Sequence, residues 1–466
     1  MLSRRQFSSA LAAAPLAFSR AAAPKRSVLF IAIDDLNDWV GCLGGHPQTL
    51  TPNLDRLAAQ SVNFTSAHCA APLCNPSRTA IMTGRRPSST GVYDNNQPYH
   101  GSQVLAGVAT LNRQFKDSGY LTLGSGKIYH GTYGAYADKE GWHDYGQPKS
   151  DFRLPSPPPL AGAAARGDVD WGATAGGDDE MNDFQVVDWV SSQFSKRRDQ
   201  PLFLACGIYK PHLPWYVPKK YFDLHPLDSI QLPVVKDDDL DDVPAIGRKF
   251  ATSNGDHARV TKAGVWKNGV QAYLAAISFA DAMLGRLLRN LETSPYAKDM
   301  SIVLWSDHGW HLGEKLHWRK FTLWERSTRN VLLMNSPGLT RPGVCPHTVS
   351  MIDIYPTVTE IAGIGAPAGQ EGQTLVPWLK NPKAPRKEPA VTTYGLGNHA
   401  VRTDQWRYIR YNDGTEELYD RASDPGEWTN LAAKPEQARI KEDLARWLPA
   451  RNQPNAPRQA GGDAAD

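Results

Sequence analysis

Five consecutive residues, Cys74-Asn75-Pro76-Ser77-Arg78, carry most of the chemistry this sequence offers. Pro76 suits the first turn of a helix, because the N–H it lacks would have no intrahelical partner there. Cys74 is thereby expected at a helix N-terminus, where exposed backbone N–H groups and the helix dipole favour an anion. Arg78, one turn on, faces the same way and offers a planar fork of donors to a carboxylate, sulfate or phosphate. Asp34-Asp35 and Asp307-His308 add three carboxylates and an imidazole, a hard, oxygen-rich set that selects calcium or magnesium over zinc. Lys127 and His130 in GSGKIYHG, His212 in KPHLP and Lys320 in HWRKF complete the group. Each is a cation or proton donor of the kind a tetrahedral anion needs as charge develops on its oxygens and on its leaving group.

These residues need a scaffold that delivers them to one place. Residues 26–33 form an apolar run ending at Asp34-Asp35, residues 201–208 lead into Lys210-Pro211-His212, and residues 300–305 lead into Asp307-His308. Continuous apolar runs of this length read as buried parallel strands, and open α/β sheets gather ligands at the carboxyl ends of their strands. Helical patterns lie between them, at residues 52–59 after Thr51 and over 264–292, where an apolar face recurs at helical spacing. The chain is therefore expected to be α/β, a large mostly parallel sheet with helices on both faces. The catalytic domain should span residues 24–380, with a Pro/Gly/Ala/Ser-rich surface loop over 146–182. NPKAPRKEP at 381–389 reads as a linker to a small α+β subdomain over 390–450, and the tail 451–466 reads as disordered.

The 466 residues suit one large domain and a smaller one, with 41% hydrophobic and 21% charged residues in ordinary globular proportion. Residues 1–23 read as an export signal of twin-arginine type: Arg4-Arg5, a short apolar stretch, then small residues suited to cleavage. Arg4, Arg5 and Arg20 account for the whole net charge of +3, so the remaining chain is neutral, which argues against nucleic acid as a partner. No apolar run is long enough to anchor the chain stably in a membrane. An exported enzyme, periplasmic or extracellular, is the expectation. Five cysteines, at 42, 69, 74, 206 and 345, are too few and too scattered for a disulfide scaffold.

The segment C-x-P-S-R, followed after four residues by T-G-R, resembles the signature of the sulfatase family within the alkaline phosphatase superfamily. The resemblance runs from about residue 26 to 430. In that family the cysteine is oxidised by a separate maturation enzyme to formylglycine, whose hydrate offers one hydroxyl to attack sulfur and a second that expels sulfate. The resemblance implies calcium, with magnesium as the alternative, held by Asp34, Asp35, Asp307, His308 and the modified Cys74. It implies that Lys127 and Lys320 bind sulfate oxygens, that His130 takes the proton of the second hydroxyl, and that His212 or Lys320 protonates the leaving alcohol. Spacing details, with His130 three residues after Lys127, KPHLP, SDHGW and TGVYDNN, are similar to the iduronate-2-sulfatase branch. That branch implies an O-sulfated carbohydrate, such as a glycosaminoglycan or another sulfated polysaccharide, with Tyr93, Asp94 and Trp310 as candidate sugar contacts. Two rivals stand beside it: a phosphonate monoester or phosphodiester hydrolase of the same superfamily, and a sugar-binding protein without activity if Cys74 is left unmodified.

Overall fold

The computed structural model describes residues 25–131, 138–147, 161–162, 166 and 169–459. The export signal, residues 460–466 and parts of the 146–182 loop lie outside the described residues. The large sheet is built from β1 (Val28–Ile33), β2 (Val62–His68), β3 (Leu121–Gly126), β4 (Asp144–Gly146), β5 (Leu202–Ile208), β6 (Ser301–Ser306), β7 (Arg329–Asn330), β8 (Leu332–Asn335) and β9 (Gly343–Ser350). Its centre is parallel: β1 lies between β5 and β6, and β3 and β4 continue beyond β5. Antiparallel pairing enters where β8 joins β6, and β7 and β8 run antiparallel to β2, on which β9 lies parallel. The sheet is thus mixed and mostly parallel.

Strand alternation divides the core in two. Leu29, Ile31 and Ile33 of β1 face a cluster closed by α1 (Pro52–Ala59), α3 (Asn182–Ser192) and the long α4 (Trp266–Glu292). Val28, Phe30 and Ala32 face the opposite cluster, which includes Ile81 and Met82 of α2 (Cys74–Thr83) and Ile354 and Val358 of α5 (Ile354–Ala362). Both faces of β1 are buried, which is why its sequence is continuously apolar rather than alternating. Part of the 146–182 segment is ordered by pairing: Trp171–Thr174 runs parallel to Trp215–Pro218.

The C-terminal region forms a four-stranded antiparallel sheet, β10 (Ala390–Thr393), β11 (His399–Arg402), β12 (Trp406–Arg410) and β13 (Glu416–Asp420), followed by α6 (Ala438–Ala445). It shares a core with the rest of the chain, because Ala400, Ile409 and Tyr419 pack with Leu240, Leu323 and Trp324. Glu325 receives Arg402 at 3.0 Å and also Arg407 and Arg421 across the same boundary. The expected disordered tail is corrected over residues 451–459. Gln453 N donates to Ser88 O, Ala456 N to Gly91 O and Gln459 N to Asn96 O, so main-chain hydrogen bonds fix this segment against residues 88–96. Its polar, Pro-rich composition hides that order, since the partners are backbone groups.

Candidate active site

The three apolar strands end side by side. At the end of β1, Asp34 N donates to Ile208 O of β5, and Asp35 takes a left-handed conformation (φ 56°) that turns its side chain toward the strand neighbours. Asp307 Oδ1 accepts from Asp35 N at 3.1 Å, which ties the ends of β1 and β6 together. Helix α2 begins beside them at Cys74, and its first-turn Asn75 N finds an acceptor in Asn95 Oδ1 at 3.0 Å. The helix ends at Gly84, whose φ of 66° is a conformation glycine takes without penalty, and this explains the T-G-R that follows the cysteine motif.

Arg78 is the organising cation. Its Nη2 donates to Asp34 Oδ1 at 2.7 Å and its Nε to Asp307 Oδ2 at 2.9 Å. Its Nη1 reaches the carbonyls of Lys127 and Ile128, which pins the loop after β3 and so places Lys127. Lys127 Nζ sits 2.6 Å from Asp34 Oδ2 and 3.9 Å from Cys74 Sγ. Lys320 Nζ lies 3.0 Å from the same sulfur and 3.2 Å from Asp35 Oδ1. Three carboxylates (Asp34, Asp35, Asp307) and three fixed cations (Arg78, Lys127, Lys320) are all at least 95% buried and balance one another. Burial alone would raise the pKa of Asp34, but Lys127 and Arg78 outweigh it and hold the carboxyl well below its ordinary range. Burial likewise disfavours charged Lys127, and Asp34 beside it reverses the balance so that its pKa rises.

A cation fits this donor set. Asp35, Cys74, Asp307 and His308 bring ligand atoms within 4.8 Å of one another. His308 Nδ1 donates to Gly309 O at 3.1 Å, which leaves the Nε2 lone pair facing Asp35 Oδ1 at 3.2 Å and Asp307 Oδ2 at 3.4 Å. Electron-rich atoms facing each other at such distances are stabilised by a positive ion between them. Asp34 stands in a second group with Asp35 and His212, its oxygens engaged by Arg78 and Lys127. His212, on the turn after β5, directs Nδ1 to Leu213 O and Nε2 to Asp35 Oδ2 at 3.7 Å. Burial opposes its protonation, but Asp35 prevails and pushes its pKa up to about 10. His130 is half-buried, three residues beyond Lys127 on the pinned loop.

Two of the expected sugar contacts, Trp310 and Tyr93, lie inside the fold. Trp310 is 1% exposed, packed against Trp215 and Tyr273 and lying 5.6 Å from Lys320 Nζ, so it is a buried platform beneath the lysine. Tyr93 is buried as well, and its hydroxyl donates to Gln453 O of the C-terminal tail. Asp94 remains partly exposed and pairs with Arg458. The sequence reading overlooked Asp183 on α3, whose carboxylate accepts Tyr209 N at 2.7 Å and Lys210 N at 2.9 Å and so holds the turn that carries His212. Burial pushes its pKa up to about 6 against those hydrogen bonds. It also overlooked Asp256, which accepts from Arg319 Nε at 2.6 Å beside Lys320. Neither residue sits in a motif, and each acts through a neighbour's backbone or side chain. None of the five cysteines forms a disulfide.

The description "Sulfatase" matches residues 26–364, and "N-sulphoglucosamine sulphohydrolase, C-terminal" matches 313–453. A sulfatase of Formosa agariphila is 43% identical over 430 residues, covering 88% of this chain and 83% of the relative. A choline-sulfatase of Rhizobium meliloti is 29% identical, covering 88% and 83%, and the iduronate 2-sulfatase of Homo sapiens is 28% identical, covering 73% and 70%. Among solved structures, a phosphonate monoester hydrolase from Silicibacter pomeroyi shares the fold with a TM-score of 0.76 at 21% identity, covering 91% of this chain and 94% of that one. With a family match across most of its length and the matched cysteine motif at the meeting point of three strand ends, the chain belongs to the sulfatase family and is a sulfuric ester hydrolase.

Proposed function

We propose that this enzyme removes an O-sulfate from a carbohydrate, with a formylglycine made from Cys74 as nucleophile and calcium at the carboxylate cluster. The observation that carries the reading is the convergence of Lys127, Lys320, His308 and Asp35 on Cys74 Sγ at the start of α2. Hydrated formylglycine supplies one hydroxyl to attack sulfur and another to release sulfate. Asp35, Asp307, His308, residue 74 and Asp34 would hold the metal, which would supply Lewis acidity toward a sulfate oxygen.

The remaining work falls to the chain's own side chains. Lys127 and Lys320 stand on two sides of residue 74 and neutralise the sulfate oxygens. His212 or Lys320 donates a proton to the leaving oxygen, and His130 accepts the proton that is lost as sulfate departs. Near-complete burial of Lys127, His212 and Lys320 keeps the local dielectric low and strengthens each contact. The relation to iduronate 2-sulfatase and the branch-like motif spacing support a sugar as the alcohol.

A separate maturation enzyme is the implied partner for Cys74, and we propose that the Arg4-Arg5 leader exports the folded protein. No helix among the described residues is long and apolar enough to cross a membrane. The test is sulfate release from a panel: a terminal 2-O-sulfated uronate, 6-O-sulfated hexosamines, choline sulfate, an aryl sulfate and a phosphonate monoester. Release from a sugar supports the reading. Turnover confined to choline sulfate rejects the carbohydrate, and turnover confined to the phosphonate rejects the sulfate ester.

A further inference from the structure

Of the fourteen tryptophans, all among the described residues, Trp447 is the most exposed, at 47%. An exposed indole of that size calls for a reason, and its surroundings offer one. It borders a cavity of about 550 Å³ between the catalytic domain and the end of the C-terminal region, lined also by Arg86, Arg386, Arg446 and Arg451. Two of the three acids that line the cavity, Asp353 and Glu371, are already committed, and the third is Glu388. Asp353 accepts from Arg386 Nη2 at 2.7 Å, Ser350 N at 3.0 Å and Gln373 N at 2.8 Å, while Glu371 accepts from Arg86 N and Ser89 Oγ.

Two of the arginines, Arg86 and Arg386, keep donors in reserve. The side chain of Arg386 is 3% exposed with its guanidinium 4.8 Å from the ring of Trp378, yet its Nε and Nη1 have no hydrogen-bond acceptor, and neither does Arg86 Nε. Buried guanidinium donors without acceptors are costly, and an anion entering the cavity would remove that cost after a small side-chain adjustment. A flat apolar ring beside unpaired arginine donors suits a sugar ring that bears a sulfate or carboxylate.

The cavity is not the catalytic site. Arg86 lies past the far end of α2, a ten-residue helix of roughly 15 Å that starts at Cys74. One stretch of chain joins the two places. From Arg451 the C-terminal segment runs along residues 88–96, and Asn95 there caps Asn75 beside Cys74.

We propose that this cavity is a second binding site for an anionic polysaccharide, gripping the chain several sugar units away from the sulfate being removed. The proposal deepens the carbohydrate reading above and rests on it for the choice of ligand. Tethering at two points raises the effective concentration of substrate at Cys74 without altering the chemistry.

The test measures binding of 5 kDa dextran sulfate to the full-length mature protein, with neutral dextran as control, alongside turnover of a small aryl sulfate. Trp447→Ala and the double variant Arg446→Ala with Arg451→Ala should each weaken dextran sulfate binding at least five-fold, with aryl sulfate turnover unchanged. Equal binding by wild type and both variants would overturn the site. So would a loss rescued equally well by inorganic sulfate in place of polymer, because that marks a simple anion site. If the wild type turns over no sulfate ester, the functional reading fails, and the binding ratios still decide the cavity.

Discussion

Lys320 Nζ lies 3.0 Å from Cys74 Sγ although the two residues are 246 positions apart, and the lysine is held there by a backbone that is left-handed on both sides of it. Arg319 and Phe321 each have φ 77°, a conformation that costs non-glycine residues free energy unless neighbouring contacts enforce it. Those contacts are present. Arg319 Nε donates to buried Asp256 at 2.6 Å, and Phe321 N donates to Pro72 O, two residues before Cys74.

Asp256 is therefore predicted to be a positioning residue for Lys320. Asp256→Asn removes one partner of a charge-assisted hydrogen bond, worth about 1.5–3 kcal/mol, and only part of that reaches the lysine. The expected outcome is a fall in kcat of about ten-fold, or about 1.4 kcal/mol, with KM changed less than about two-fold. Asp256→Glu should restore part of the rate. An unchanged kcat with a lowered melting temperature would assign Asp256 to the fold alone.

Cys74→Ala should lower turnover by about 1,000-fold or more and leave the near-ultraviolet circular dichroism spectrum intact, since the residue contributes chemistry rather than a large buried side chain. Peptide mass analysis of active wild-type protein should show residue 74 as the aldehyde. Activity in a preparation whose residue 74 is wholly thiol would refute the nucleophile.

Removing divalent cations should abolish turnover, and calcium should restore it. His308 Nε2 faces two carboxylate oxygens, so added calcium should also raise the melting temperature. At 100 times its dissociation constant a ligand adds about 2.7 kcal/mol of stability. A chelated enzyme of full activity and unchanged melting would contradict the assignment of the cluster.

Glu325 joins the two regions of the chain and gives a pH test. Burial alone would raise its pKa, but Arg402 and Arg421 lead the opposing charges and hold it well below the ordinary glutamate value. A carboxyl whose folded pKa is depressed stabilises the fold fully above its unfolded pKa of about 4.3, and loses that contribution as pH falls toward the folded value. Glu325→Gln should cost about 3–5 kcal/mol at neutral pH, because it leaves buried arginines without their charge partner. The gap in melting temperature between wild type and variant should shrink below pH 4. A gap that stays constant down to acid unfolding would show that the charge of Glu325 is not what matters.

Export can be tested without enzymology. Arg4→Lys together with Arg5→Lys should leave the precursor in the cytoplasm, read by fractionation, and normal export of the double variant would overturn the twin-arginine reading.

The sequence alone determined the class of fold and named the candidate reactive residues, because both depend on local pattern. Apolar runs ending in Asp34-Asp35, in the turn to His212 and in Asp307-His308 can be read as buried strands, since both faces of a parallel sheet are covered. The helix start at Cys74 follows from Pro76 and from the spacing to Arg78. Tertiary structure decided what depends on distant partners. It put Trp310 beneath Lys320 and Tyr93 beneath the tail, because exposure is set by what packs over a side chain and residue type does not reveal it. It ordered residues 451–459 through main-chain hydrogen bonds that any sequence could make. It also recruited Asp183 and Asp256, isolated acids with no motif, whose roles exist only because the chain brings Tyr209, Lys210 and Arg319 to them.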